Sequence, residues 1–231
     1  MLEARNLRLC GPDGTAALDD LTVFGHPGEL LALTGGHGSG KSALLRTLAG
    51  LARPDGGTIR LDGVDLTALG PHARASRGIA YVADGARVLG GLSVRENLLV
   101  GAWRRRDRRA VAQEYGRWLE RFPDLGAAAG RRAADLPAAQ RMALALGRAW
   151  MGAPRVFLVE EPLTGLDGEA RAGVAAALRA ACDAGRVVIC AMQEPGHLSI
   201  ANRVNVLANG RVVFSGSPAA VATAGAAAPL E

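Results

Sequence analysis

Eight consecutive residues have the types and the spacing of a loop that binds phosphate: Gly35, Gly36, His37, Gly38, Ser39, Gly40, Lys41 and Ser42. Glycines allow backbone N–H groups to curve around phosphate oxygens, and the N-terminus of the helix predicted to follow adds partial positive charge. Lys41 is expected to reach the β- and γ-phosphates of a nucleoside triphosphate, and the Ser42 hydroxyl to ligate Mg²⁺. Lys41 is also the only lysine of the chain, at a position where arginine would disturb the loop. The segment therefore predicts a P-loop.

Two carboxylates, Glu160 and Glu161, come directly after the apolar residues 156–159, which predict a buried parallel strand. Open parallel sheets bind ligands outside the carboxyl ends of their strands, so these carboxylates are expected to face the phosphates. One would hold Mg²⁺ through water, and the next would polarise the attacking water as a general base. The alternative is a pair of surface glutamates at a strand end, which the P-loop upstream makes the weaker interpretation.

Apolar periodicity predicts the elements that must position these groups. The buried strand GELLALT precedes the P-loop and the helix SALLRTLAGL follows it, a context that an accidental Gly-rich turn would lack. Ser93 and Glu96 form a predicted capping box, and the pattern from there to about Met151 is mainly helical. Later strands and a hairpin at Asn209-Gly210 complete a layered α/β architecture with one helical insertion.

Composition excludes several classes of protein. Of the 231 residues, 49% are hydrophobic and 21% charged, which argues against a disordered chain. No apolar run reaches the roughly eighteen residues of a membrane-spanning helix, and the charged N-terminus does not suit a signal peptide. The three cysteines lack metal-ligand spacing, so a reduced cytosolic protein is expected.

Most of the net charge of +5 comes from one short segment. Five arginines and one aspartate at residues 104–109 contribute +4 of it, which disfavours a nucleic-acid binder. A solvated helix start, or a contact with lipid headgroups or a partner, remains open for this Arg-rich segment.

The stretch LPAAQRMALALGRAWMGAPRVFLVEEPLTGLD resembles the ATP-binding-cassette (ABC) ATPases from signature motif through Walker B to D-loop. SVRENLLVGA and LANGRVVFSG extend the resemblance to nearly the whole chain, and it is most similar to the ATPases of branched-chain amino acid importers. The resemblance implies a single ABC ATPase domain over residues 1–231. This domain has a P-loop NTPase (RecA-like) α/β core, an N-terminal antiparallel β subdomain and a helical subdomain at about 85–151.

The same resemblance implies cofactors, residue roles and partners. ATP and Mg²⁺ would bind the P-loop, with Ser42, Glu160 and Asp84 at metal-binding positions. Glu161 occupies the catalytic glutamate position and Gln193 the switch position. The implied partners are transmembrane permease subunits, a second ABC ATPase subunit and an external solute-binding protein, with no nucleic acid. The implied location is cytoplasmic, peripheral on the inner face of the cell membrane.

The sequence departs from the family at five places. The segment CGPDG at residues 10–14 lacks the aromatic residue that stacks on adenine. Asp84 stands at the Q-loop glutamine, Glu160 at the Walker B aspartate and Gln193 at the switch histidine. The signature Leu-Ser-Gly-Gly is replaced by LPAA at residues 136–139, which removes one donor and crowds the approach to a γ-phosphate.

The degenerate signature leaves alternatives open. The chain could be a transporter ATPase, in a homodimer with slow turnover or paired with a cassette that has an intact signature. It could instead be a regulatory subunit that binds nucleotide and scarcely hydrolyses it. A soluble cassette of repair or translation is a third interpretation, although the long coiled-coil insertion or second cassette of such proteins is missing from this sequence.

Overall fold

The computed structural model describes residues 1–11 and 14–227. The strands are β1 (Leu2–Cys10), β2 (Ala16–Gly25), β3 (Leu30–Thr34), β4 (Gly56–Leu61), β5 (Val64–Asp65), β6 (Ile79–Val82), β7 (Val156–Glu160), β8 (Val187–Ala191), β9 (Arg203–Ala208) and β10 (Arg211–Gly216). The α-helices are α1 (Lys41–Ala49), α2 (Pro71–Ser76), α3 (Val94–Gly101), α4 (Arg108–Arg121), α5 (Pro123–Ala127), α6 (Ala138–Met151), α7 (Gly168–Asp183) and α8 (Pro218–Ala227). Two 3₁₀ helices span Ala133–Asp135 and Pro195–Ile200.

The central sheet has the order β10-β9-β3-β8-β7-β6, and all of its neighbouring strands are parallel except the β9–β10 hairpin. Strands β3, β7 and β8 are buried along their whole length, as their continuous apolar runs predict. The hairpin turns at Asn209 and Gly210, which both have positive φ, as a tight type I′ turn requires. The carboxyl ends of β3 and β7 lie at the same edge of the sheet, since both strands run parallel to β8 between them.

Helices and a second sheet cover the two faces of the central sheet. Leu31 and Leu33 of β3 pack with α1 and with the antiparallel sheet β2-β1-β4-β5, while Leu30 and Ala32 pack with α6 and α7 on the other face. This alternation follows from the two-residue period of a strand. The structure confirms the predicted fold class, a P-loop α/β core with an N-terminal antiparallel sheet and a helical insertion.

The insertion lies between β6 and β7 and contains α3 to α6. The capping box that opens α3 is confirmed, because the Ser93 hydroxyl accepts from the Glu96 N–H and the Glu96 carboxylate accepts from the Ser93 N–H. Aromatic side chains join this region to the core. Trp118 of α4 packs on Trp150 of α6 with ring centroids 5.4 Å apart, and Trp150 packs on Phe157 of β7 at 5.8 Å. Across the residues that the structure describes, no helix is both long and apolar enough to cross a membrane.

Candidate nucleotide-binding and hydrolysis site

The P-loop connects the buried strand β3 to α1, as predicted, and two of its glycines are required by the backbone that packs behind them. A Cβ at Gly35 would lie 2.1 Å from the Leu207 carbonyl oxygen, and one at Gly40 would lie 2.7 Å from the Ala17 carbonyl oxygen. Both glycines have positive φ. The β9–β10 turn and the start of β2 therefore hold the loop in shape from outside.

Two other glycines of the loop border open space. A Cβ built at Gly36 or Gly38 would meet no atom within 4 Å, so these glycines leave space that side chains would fill. The first backbone hydrogen bond of α1 runs from the Leu44 N–H to the Gly40 carbonyl, so the N–H groups before Leu44 have no acceptor within the helix. This combination of free N–H groups, a helix N-terminus and open space fits the phosphates of a nucleotide.

Lys41 is held at the centre of the loop. Its Nζ donates to the carbonyl oxygens of Gly35 and Gly36 at 2.7 and 2.9 Å and to Ser39 Oγ at 3.2 Å. Burial lowers the pKa of Lys41, and the nearby carboxylate of Glu161 opposes this shift. The one lysine of the chain therefore lies in the phosphate cradle, within the field of the predicted catalytic carboxylate.

Replacing Lys41 by alanine is expected to weaken MgATP binding by about 10- to 100-fold, because each charge-assisted hydrogen bond lost to the phosphates costs about 1.5–3 kcal/mol. Fluorescence titration with a labelled ATP analogue measures the change. Lys41→Arg is the matched variant: it keeps the charge but not the compact ammonium, and it should also bind poorly. Parent-like affinity of Lys41→Ala would contradict the assignment of this site.

Glu160 ends β7 and is 93% buried, with 7% of its surface exposed. Its Oε2 accepts from the Asp84 backbone N–H at 3.2 Å, while its Oε1 is buried without a hydrogen-bond partner. A buried carboxylate oxygen without a donor is costly unless something outside the protein atoms satisfies it. This orphan oxygen, together with the exposed Ser42 in the first turn of α1, fits a Mg²⁺ ion and its water ligands.

Glu161 begins the turn after β7, with a left-handed backbone conformation at φ 43°. Its N–H donates to the Ala191 carbonyl, and its Oε2 accepts from Thr164 Oγ1 at 2.9 Å and from the Gln193 backbone N–H at 3.3 Å. The carboxylate is thus oriented from two directions at the carboxyl edge of the sheet. Gln193 lies beside it, but it contacts Glu161 through its backbone N–H, and its side chain is exposed.

Two further predicted site residues are Asp84 and His37. Asp84 contributes its backbone to Glu160, while its own Oδ1 accepts from the Gly85 N–H at 2.7 Å. His37 is exposed in the loop. Pro12 and Asp13 of the segment predicted to lack an adenine platform lie outside the described residues. The ligand and catalytic roles assigned to individual residues stay predictions.

The degenerate signature lies at the start of α6. Pro137 is the N-cap residue and is exposed, with no side chain capping the helix, and Leu136 before it is buried. In the family this helix start presents a serine hydroxyl and glycine N–H groups. Here the same surface presents a proline ring and the methyl groups of Ala138 and Ala139.

Sequence reasoning missed two residues near the carboxylates, Tyr81 and Thr164. Burial and the carboxylate of Glu160 raise the pKa of Tyr81 to about 12. Thr164 follows Glu161 by three residues, so a local turn could have indicated its contact. No local pattern indicates that Tyr81 lies near Glu160, because the two are 79 positions apart and meet through strand pairing.

Comparisons with known proteins find relatives of this chain in sequence and in structure. A family model described as ABC transporter matches residues 18–164. The branched-chain amino acid transport ATP-binding protein BraG of Pseudomonas aeruginosa is 34% identical over 90% of this chain and 89% of its own length. The sulfate/thiosulfate import ATP-binding protein CysA of Mycolicibacterium paratuberculosis is 36% identical over 89% of this chain. The molybdenum import ATP-binding protein ModC of Rhizobium meliloti is 38% identical over 95% of this chain. The chain spans only 56% and 60% of the lengths of CysA and ModC.

Solved structures share the fold. A nucleotide-free ATP-binding cassette from an ABC transporter superposes with a TM-score of 0.86 at 20% identity, over 99% of this chain and 96% of its own. A dimeric ATP-binding cassette bound to ADP and Pi superposes with a TM-score of 0.82 at 21% identity, over 94% and 99%.

Proposed function

The chain belongs to the ABC transporter family, and on this premise we propose that it is an ATP-hydrolysing subunit that drives a membrane importer. One observation carries the proposal: Lys41 in the phosphate cradle lies within the field of Glu161 at the carboxyl edge of one parallel sheet. This arrangement supports the proposal, because a cation for the γ-phosphate and a base for the attacking water would both assist phosphoryl transfer to water. The direct test is MgATP hydrolysis by the chain in complex with its partner cassette, the partner's own site being inactivated, with Lys41→Ala as the inactive control.

In the proposed reaction the residues of the chain have separate tasks. Backbone N–H groups of the loop and Lys41 bind the phosphates, and Glu161 accepts a proton from the attacking water. Gln193, which lies beside Glu161, would hydrogen-bond the γ-phosphate. Glu160, Ser42 and Asp84 would hold the metal and its waters. When bound, Mg²⁺ neutralises charge on the phosphate oxygens.

We propose that the permease docks into a groove of about 690 Å³ between the helical insertion and the core. The described residues that line it include five arginines and no aspartate or glutamate: Arg77, Arg104, Arg105, Arg148 and Arg155. Trp103 also lines the groove and is 70% exposed, a large apolar side chain at the edge of a concave surface. Docking there would place the chain on the cytoplasmic face of the membrane.

Replacing Trp103 by alanine is expected to reduce capture of the chain by its permease about 30-fold or more, since truncation of a buried aromatic anchor costs about 2 kcal/mol or more. Co-purification from solubilised membranes measures this. Val213→Ala is the matched control, because Val213 is 57% exposed on β10 and does not line the groove. Equal recovery of the two variants would show that the groove is not the docking surface.

The second proposed partner is another ABC ATPase subunit with an intact signature. Each active site of a cassette dimer combines the P-loop of one subunit with the signature of the other. This chain retains its P-loop and Glu161 but offers the poor signature at Pro137. Pairing with a different cassette would keep one good site, whereas a homodimer would weaken both.

The proposed cargo is an amino acid, branched-chain or other, delivered by an external solute-binding protein. The support is the similarity to BraG over most of both chains, although relatives named for sulfate and molybdenum import match as well. Uptake of radiolabelled leucine, sulfate and molybdate by vesicles containing the co-purified complex separates these substrates. Leucine uptake that requires Lys41 would support the amino acid assignment. Uptake of sulfate or molybdate without leucine uptake would contradict that assignment and identify the anion as the cargo.

One observation favours a second candidate function, a regulatory subunit that binds ATP without turning it over. Pro137 and the two alanines after it replace the donors that would hold a partner's γ-phosphate. The retained carboxylate of Glu161 opposes this candidate. Single-turnover hydrolysis by the complex with the partner cassette inactivated decides between the two functions.

A further inference from the structure

We propose that Tyr81 is a positioning residue, whose phenol donates a hydrogen bond to the Glu160 carboxylate and holds it for Mg²⁺. The inference rests on the ATPase function proposed above. It concerns a residue that touches neither ATP nor the metal and acts only through Glu160.

Strand pairing places the two side chains on the same face of the central sheet. In the parallel pair of β6 and β7, Tyr81 lies opposite Leu158. Side chains alternate along a strand, so Glu160, two residues after Leu158, faces the same side. Tyr81 and Glu160 are therefore diagonal neighbours, and a tyrosine is long enough to span that separation.

The Glu160 carboxylate needs a second support. A glutamate has one methylene more than the aspartate usual at this position in the family, and so has an additional rotatable bond to restrain. The Asp84 N–H holds Oε2 at 3.2 Å, but the Asp84 side chain is turned to the Gly85 N–H. Oε1 is left buried and without a partner. A phenol beside the carboxylate would restrict its rotation and leave Oε1 directed at the metal.

The Tyr81 phenol is protonated and can therefore donate a hydrogen bond to Glu160. The pKa of Tyr81 is raised to about 12 by burial and by the negative charge and hydrogen bonding of Glu160, so the phenol keeps its proton at neutral pH. Tyr81 also lines the docking groove. A purely structural role in the groove wall is therefore the competing explanation that the experiment must separate.

The first measurement is the affinity of the full chain for ATP with and without Mg²⁺. Tyr81→Phe should reduce the strengthening that Mg²⁺ produces by about tenfold, roughly the effect of losing one hydrogen bond to a charged group, and leave metal-free affinity unchanged. In a Glu160→Asp background, where the shorter side chain needs no second support, the same substitution should change the Mg²⁺ effect less than twofold. Tyr115→Phe is the matched control, since Tyr115 is a partly buried tyrosine on α4 of the helical insertion, packed against the core.

The second measurement needs neither metal nor turnover. A double-mutant cycle of Tyr81→Phe and Glu160→Gln, read from the melting temperature of the full chain without nucleotide, detects a contact between the two side chains. Tyr81→Phe should lower the melting temperature in the parent chain and change it less in the Glu160→Gln background, where the charged acceptor is absent. Equal shifts in the parent and Glu160→Gln backgrounds overturn the contact, and equal effects of Tyr81→Phe on Mg²⁺-dependent affinity in the parent and Glu160→Asp backgrounds overturn the positioning role. If Mg²⁺ fails to strengthen ATP binding in the parent chain, the proposed function itself fails, whatever the melting temperatures show.

Discussion

Glu161→Gln is expected to lower steady-state phosphate release by about 10²- to 10⁴-fold while leaving MgATP bound, because general-base catalysis typically contributes that factor. The substitution preserves the size of the side chain, and the amide oxygen can still accept from Thr164 or from the Gln193 N–H, which now meet at Oε2. The capacity to take a proton is lost, together with the negative charge near Lys41. Phosphate release under saturating MgATP, in the complex with the partner cassette, measures the effect.

Glu169→Gln is the matched control for this variant. Glu169 is an exposed glutamate in the first turn of α7, outside the hydrogen bonds around Glu161, and its loss should leave turnover near the parent value. Because Glu161→Gln should leave ATP bound and unhydrolysed, any ATP-dependent dimer of this variant should also have a longer lifetime. Parent-like turnover of Glu161→Gln would mean that another group activates the water, or that this subunit is not the hydrolytic one.

Rewriting Pro137-Ala138-Ala139 as Ser-Gly-Gly is expected to strengthen ATP-dependent self-association by roughly a hundredfold or more. The change restores a hydroxyl and two unobstructed N–H groups at the exposed start of α6, and each charge-assisted bond to a γ-phosphate contributes about 1.5–3 kcal/mol. Serine is also a better N-cap than proline, which offsets part of the cost of two glycines in the first turn. Sedimentation or light scattering with MgATP, in the Glu161→Gln background, measures the dimer.

Pro137→Ala is the matched control for the rewritten signature. It removes the proline ring from the surface but supplies neither the hydroxyl nor the glycines, so it should leave the chain largely monomeric. A stable homodimer of the chain with its native signature would contradict the heteromeric arrangement and favour a homodimer with slow turnover.

Several features of the fold and site were predictable because their determinants are local. The P-loop needs particular residue types over eight consecutive positions, so its place between a buried strand and a helix could be predicted from sequence. The Ser93–Glu96 capping box and the Asn209-Gly210 turn are similarly specified within four residues or fewer. The apolar runs of β3 and β7 predicted burial because a parallel sheet covered on both faces tolerates little else.

Other features depended on tertiary structure because they join residues that are distant along the chain. Strand order brings Glu161 into the field of Lys41, and the register of β6 against β7 sets Tyr81 diagonal to Glu160. The Asp84 contact with Glu160 uses a backbone N–H, which no residue type at position 84 could indicate. The sequence by itself determined which groups could bind phosphate, hold a metal and activate water. Only the packing of the parallel strands decided which of those groups meet, because the order of the strands depends on burial across the whole sheet.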